Sequence, residues 1–339
     1  MTNASTLSIV LGVPLLGILA LVLLALYRRR QPDALQTPGF VARNGAVVAT
    51  FLVVAVSFWV IVLIVMPQLY MVDFSFHPKL PLSRRGGPDD VYTLENYRYF
   101  LFGSTRSTAS WNTTHIRAFF MTIGASVLVA LGNFLLCYPL AYHMAQRARP
   151  NRVMLLMLLL IVPYWVNELL RAFAFRILFG TGGMINALLK AMGVIDAPID
   201  FIGADIALYA ALTYTYLLLM IFPLYSALES LDRSQIEAAR DLGAPWWHIH
   251  LFIVMPHAKA GIASGCTLVF MLTAGALAAP LVLSGPNTLW FTPILYDRFF
   301  QAFNWQQGAA YAILLLVACI AFVLLVMRLF RVSFTEITR

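Results

Sequence analysis

The chain has 339 residues, 61% of them hydrophobic and 11% charged, with a formal net charge of +8. A soluble globular protein carries roughly 25% charged residues, so 23 basic and 15 acidic side chains are too few to cover a soluble core, and the composition is that of a polytopic membrane protein. The positive charge does not indicate nucleic acid, because the basic residues form short clusters between apolar runs, as at Arg28-Arg29-Arg30 and Arg147/Arg149/Arg152, a placement that sets orientation in a bilayer.

A hydrocarbon core of ~30 Å needs ~20 apolar residues at ~1.5 Å each. The runs 7–27, 46–70, 118–143, 153–179, 205–229, 259–283 and 309–330 each predict one spanning helix. A β-barrel would instead show ~10-residue alternating segments. Before the first run "MTNASTLS" is uncharged and the arginines follow Tyr27; this reverses the order of a signal peptide and predicts a retained anchor with its start outside. Between the second and third runs, "VYTLENYRYFLFG" predicts a short surface helix or cap within 73–117. The run 153–179 carries Glu168, Arg171 and Arg176. Next, "GTGGMINALLKAMGVIDAPID" in 180–204 follows no strand, so its glycines are no dinucleotide fingerprint; a turn and a short helix ending at Gly193 are expected. In 259–283, Gly261-x3-Gly265 predicts close helix packing. Cys137, Cys266 and Cys319 fall inside apolar runs and read as small buried residues.

The segments 28–45, 144–152 and 230–259 and the C-terminal tail hold 13 of the 23 Lys and Arg in about 70 residues, so they read as cytoplasmic. This puts the N-terminus outside and the C-terminus inside, consistent with an odd number of spans.

In the loop between the fifth and sixth runs stands "EAARDLGAPWWHIHLFIVMP", Glu237 to Pro256. Ser234-Gln235-Ile236-Glu237 fits a capping box, predicting a short helix through Ala238, Ala239, Arg240, Asp241 and Leu242. Gly243 then permits a turn, and Pro256 marks entry to the sixth span. Physical reasoning leaves two readings: a rigid protrusion that receives a push, or an amphipathic loop lying on the membrane.

The spacing Glu237-Ala238-Ala239, Gly243, Ile253, Pro256 resembles the EAA loop of ABC-transporter permeases, E-A-A-x3-G-x9-I-x-L-P, with Met255 in place of leucine. "TLENY", "YPLAY", "GMINALL", "GVIDAP" and "FPLYSAL" resemble signatures of the spermidine/putrescine permease subfamily across about 46–330. The resemblance implies an all-α, type I importer permease core of six transmembrane helices in the bacterial inner membrane. Residues 1–45 would add an extra N-terminal helix and linker, and 331–339 a cytoplasmic tail. It also implies that Glu237, Ala238, Ala239, Arg240, Asp241, Gly243 and Pro256 couple the chain to an ATPase dimer, which binds ATP and Mg. The other implied partners are a second, homologous permease (a heterodimer) and an external, periplasmic solute-binding protein. No cofactor is expected on this chain, and no catalytic residue.

The residues agree with that division of labour. None of the three lysines follows a glycine, so the chain has no P-loop. Among His248, His250 and His257, the H-x-H beside two tryptophans could bind a metal, but no third ligand is evident and interface or headgroup contact is expected instead; no nucleophile elbow or triad appears. Charges within spans cost ~2.5–3.5 kcal/mol and tend to face a cavity. Glu168 and Arg171, at i and i+3, with Trp165 one turn earlier and Tyr164 and Asn167 nearby, are candidates for the translocation pathway; the alternative is a structural Glu168–Arg171 pair. On a continuous helix Glu168 would lie about 24 Å beyond Arg152. The subfamily usually has Gly-Glu-Phe where this chain reads Gly275-Ala276-Leu277, so the route would be less negative. Alternatives are a permease of this fold for another small organic solute, an ion-driven secondary transporter, which predicts internal repeats, or a membrane-bound enzyme, for which no constellation is seen.

Overall fold

The computed structural model describes residues 45–84, 87–104, 110–285 and 288–332. The expected first span at 7–27 and most of the tail 331–339 lie outside the described residues. By internal contacts the chain divides into two units, Met1–Ser75 and Phe76–Arg339.

The described part of the first unit is one helix, α1. It runs from Ala46–Val60 through a widened turn at Ile61–Val65 into Met66–Ser75. The Met66 amide reaches back to the Ile61 carbonyl, one residue further than in an α-helix. The cause is Pro67, whose ring crowds the preceding turn and which donates no hydrogen bond. The same four residues, Ile-Val-Met-Pro, recur at 253–256, and there too a widened turn, His250–Val254, comes just before the proline. Most side chains of α1 are exposed apolar groups, among them Phe51, Leu63 and Leu69.

In the second unit, α2 (Glu95–Phe102) is the short helix expected from "VYTLENYRYFLFG", closed by Gly103 in the left-handed region. Helix α3 (Thr113–Gln146) is capped by the Asn112 side chain. Its buried residues Ala118, Thr122, Ala125, Val129, Asn133, Cys137 and Ala141 recur three or four apart, so one stripe faces the core. Helix α4 (Pro150–Ile161) ends in a tight turn, Val162–Trp165, and α5 (Glu168–Phe179) begins after a break. Helix α6 (Met184–Ala191) ends at Gly193, φ +69°, with the Val194 amide on the Leu189 carbonyl, as the sequence predicts. Then come α7 (Ile206–Glu229), α8 (Arg233–Asp241), α9 (Trp246–Ile249), α10 (Lys259–Ala274), α11 (Ala278–Leu283), α12 (Phe291–Phe300) and α13 (Trp305–Phe330).

The core is the triangle of α3, α7 and α10, with α13 against α10 and α11 against α5. Small residues bring α10 onto α7. A Cβ on Gly261 would collide with the Pro223 carbonyl oxygen, and one on Gly265 would stand 2.7 Å from the Met220 sulfur. Phe270 and Phe322 stack to fix α13. Where α3 and α13 begin, Phe100, Phe119, Phe291 and Tyr311 form an aromatic cluster, edge-to-face except for the stacked Phe291–Tyr311 pair.

Five helices among the described residues are long and apolar enough to cross a membrane: Thr50–Ser75, Thr113–Gln146, Glu168–Ala191, Ile206–Glu229 and Trp305–Phe330; Trp246–His257 joined to Lys259–Ala274 across a 74° bend makes a sixth. Two expected spans are not continuous. The run 153–179 is divided at Val166-Asn167, which are extended (ψ 132° and 143°). The run 259–283 is divided at Gly275-Ala276-Leu277. Hydropathy records apolar content, and both breaks leave it unchanged.

Candidate functional site

Helix α8 begins at Asp232, whose carboxylate accepts the Ser234 amide at 3.0 Å. The expected Ser234–Glu237 capping box is therefore displaced: Ser234 already lies in the first turn, and the residue that caps is the one bearing the stronger acceptor two positions earlier. Hydrogen bonding from Ser234 holds the Asp232 carboxyl below the usual carboxylate range. The helix ends in a Schellman turn, with the Gly243 amide on the Arg240 carbonyl (2.8 Å) and the Ala244 amide on that of Ala239 (3.0 Å). Gly243 has φ +79° and open space around its Cα, so glycine is required there by backbone conformation and not by crowding.

The protrusion is anchored on one side and bare on the other. Ile236, Ile249, Val254 and Ala258 are buried in the core, and Ala239 and Ala244 pack against it, supplying the apolar contact that accompanies such a turn. Glu237, Ala238, Arg240, Asp241 and Gly243 are exposed, as is Pro256. Beyond Pro256 the chain turns through 74° at Ala258 into α10.

Hydrogen bonds tie this elbow to the ends of the spans. The Gln146 side-chain amide, at the end of α3, donates to the carbonyls of Leu228 (2.7 Å) and Leu231 (3.1 Å). The Ser230 hydroxyl meets His257 at 3.0 Å, and the Tyr138 hydroxyl meets His250 at 2.8 Å. His248 lies against Phe252. The three histidines thus have three separate partners and do not converge, and no group of three metal-ligating side chains occurs among the described residues.

The second candidate region is the α4–α5 break. Asn167 caps α5 by accepting the Leu169 amide at 2.9 Å. Arg171 is buried, donates to the Val166 carbonyl at 2.9 Å, and lies over the rings of Tyr164 and Tyr214 at 5.3 and 6.0 Å. Among the described residues no Glu168–Arg171 ion pair forms. Glu168 is half-buried and lies beside the Tyr216 side chain of α7. Trp165 is 86% exposed. The expected stack of Trp165 one turn below Glu168 is lost, because the extended residues Val166 and Asn167 redirect the chain, and the 24 Å rise fails for the same reason. The break thus brings Glu168 to Tyr216 and Arg171 to Tyr164 and Tyr214, while Trp165 stands apart.

Three residues of these regions escape the sequence reading. Leu242 sits at the elbow's tip and is 88% exposed; a leucine beside a helix-ending glycine is the signal that marks it. Tyr216 comes from a distant span and carries no local signal. Gln146 looks like an ordinary polar end to an apolar run.

Residues 137–334 match the family of binding-protein-dependent transport system inner membrane components. The chain is 32% identical to the spermidine/putrescine transport system permease protein PotB of Haemophilus influenzae over 77% of this chain and 86% of that one. It is 30% identical to PotB of Escherichia coli K12 over 78% and 92%. It shares its fold with a bacterial ABC transporter involved in import of the acidic polysaccharide alginate, at TM-score 0.64 and 16% identity over 86% of this chain and 96% of that one. The chain has the type I permease fold and belongs to the family of inner-membrane permease components of binding-protein-dependent ABC importers.

Proposed function

We propose that this chain is the permease of a polyamine importer and that the elbow from Asp232 to Ala258 transmits the work of ATP binding to the spans. The observation that carries the proposal is the shape of the elbow: a hydrogen-bonded turn, a buried inner face and a bare outer face of Glu237, Ala238, Asp241 and Leu242, with exposed Arg240 at its edge toward α3. An ATPase subunit, one of a pair that holds ATP and Mg, seats on that bare face. When the pair closes, the elbow moves as one piece and tilts α7 and α10. A second permease, different in sequence, completes the pathway, and a periplasmic binding protein delivers substrate at the opposite mouth. The basic clusters support a cytoplasmic elbow, a cytoplasmic C-terminus and an external N-terminus. Residues 46–330 form the transport domain, with 1–45 as an added helix and linker.

The likeness to PotB supports a cationic, amine-bearing substrate. Glu168, half-buried beside Tyr216, supplies a carboxylate for such a cation, while the Tyr164 and Tyr214 rings next to it hold Arg171. Asn167 and Arg171 shape the break, and exposed Trp165 is available to the second permease. One observation favours another small organic solute. Ala276, where the subfamily has an acid, is buried, and its carbonyl accepts the Thr292 hydroxyl, so that position is packing and offers no charge.

The test is uptake of labelled spermidine and putrescine by vesicles containing the assembled complex and its binding protein. ATP-dependent uptake of either supports the polyamine reading. Uptake of neither, with ATP-dependent uptake of a different solute, refutes polyamines and leaves the permease assignment intact.

A further inference from the structure

A cleft of about 570 Å³ opens between the last turns of α3 and the elbow. Tyr138, Tyr142 and Trp246 give it an aromatic wall, and Arg147 and Arg240 give it positive charge. His143 and His250 also line it, and no acidic side chain does. Arg147 lies over the Tyr142 ring at 5.7 Å, while His250 is held by Tyr138. Neither arginine has an ion-pair partner among the described residues. Two unpaired guanidinium groups facing one cleft repel each other, and an anion between them removes that cost.

The surroundings identify the source of the anion. The cleft lies at the ends of two spans, where headgroups are, whichever face of the membrane that end occupies. Beside it Trp246, Trp247, Leu251 and Phe252 present exposed apolar surface. Tryptophans next to a basic pocket match the interfacial band of a membrane protein, and basic pockets between membrane helices hold anionic headgroups. We propose that this cleft binds the headgroup of an anionic phospholipid, its phosphate between Arg147 and Arg240. Arg147 follows α3 and Arg240 belongs to α8, so one bound lipid pins the elbow to the scaffold.

The experiment is native mass spectrometry of the assembled importer, equilibrated with phosphatidylglycerol or phosphatidylcholine, with inorganic phosphate added in a further arm. The wild-type complex should retain phosphatidylglycerol in preference to phosphatidylcholine. Arg147→Gln should retain it about fivefold less, one surface arginine's contribution. Arg147→Lys should recover part of that loss, and Arg152→Gln, outside the cleft, should leave retention unchanged. Equal retention of both lipids would overturn the proposal, as would wild-type retention in Arg147→Gln. Displacement of the lipid by inorganic phosphate would make this a free-anion site and also overturn it. So would a complex that retains no lipid, which would mean the ATPase covers the cleft. The preference measured on the wild-type complex stands as a test even if Arg147→Gln does not assemble.

Discussion

The elbow and the α4–α5 break both interrupt the helical course of the chain, and they do so in opposite ways. In the elbow the turn closes on itself. Gly243 and Ala244 give their amides to α8, Asp232 caps its start, and Ile236 and Ile249 are buried beneath. The polar side chains are left over on the outside. At the break, Val166 and Asn167 are extended, and the Val166 carbonyl takes its bond from the buried Arg171 guanidinium. The Nε of Arg171 has no hydrogen-bond partner, and an orphaned buried donor costs about 1–3 kcal/mol. A turn closed by its own backbone hydrogen bonds, with spare surface side chains, suits a part that transmits force. A turn with an unmet donor inside the protein suits a part whose neighbours rearrange or are completed by something else.

That contrast can be broken by substitution, and the largest effect should come from Gly243→Pro. Proline fixes φ near −65° where +79° is observed and removes the amide that bonds Arg240, so the turn cannot form as it is and the effect on uptake should be tenfold or more, on the order of 1.4 kcal/mol. Substrate uptake should collapse while the complex still assembles and hydrolyses ATP. Glu237→Arg should act in the same direction by reversing a charge on the bare face, read as loss of uptake at retained hydrolysis. Next comes Gln146→Leu, which leaves the carbonyls of Leu228 and Leu231 without their shared donor. The complex should lose about 1–3 kcal/mol of stability, read as a lowered thermal midpoint. At the break, Glu168→Gln should weaken uptake of a cationic substrate about tenfold, the equivalent of ~1.4 kcal/mol, with assembly unchanged. Uptake equal to wild type would remove Glu168 from the pathway.

The smallest effect should follow Asp232→Ala, seen as faster amide exchange over 233–236. Because the Asp232 carboxyl is held below its ordinary range, its cap is fully formed above the unfolded carboxylate value of about 3.9. The cap is lost only as pH falls through the lower folded value. Protection of this turn, measured as exchange relative to the intrinsic rate at each pH, should therefore be insensitive to the cap's protonation near neutral pH and should fall in acid.

The same two regions show what a sequence reveals. The turn at Gly243 was legible because its cause is local: a glycine at the end of a short polar helix. So was the α6 stop at Gly193. The approach of α10 to α7 could be read from Gly261 and Gly265. The break after α4 was hidden because Val162, Trp165 and Val166 keep the run apolar. Pro163, together with Asn167 followed by Glu168, carried the helix-stop and helix-start signals within it. Asp232 shows a nearer miss, since Ser234 met a motif that a carboxylate two residues earlier satisfied better. The partners of Glu168 and Gln146 come from other spans, and no short-range pattern reports them.

The central claim is that the elbow is a rigid transmitter, and the ratio of substrate imported to ATP hydrolysed tests it most directly. It should be measured in vesicles for the wild-type complex and for Gly243→Pro. The account predicts that hydrolysis continues and the ratio falls at least tenfold, on the order of 1.4 kcal/mol of lost coupling. An unchanged ratio in the variant would contradict it.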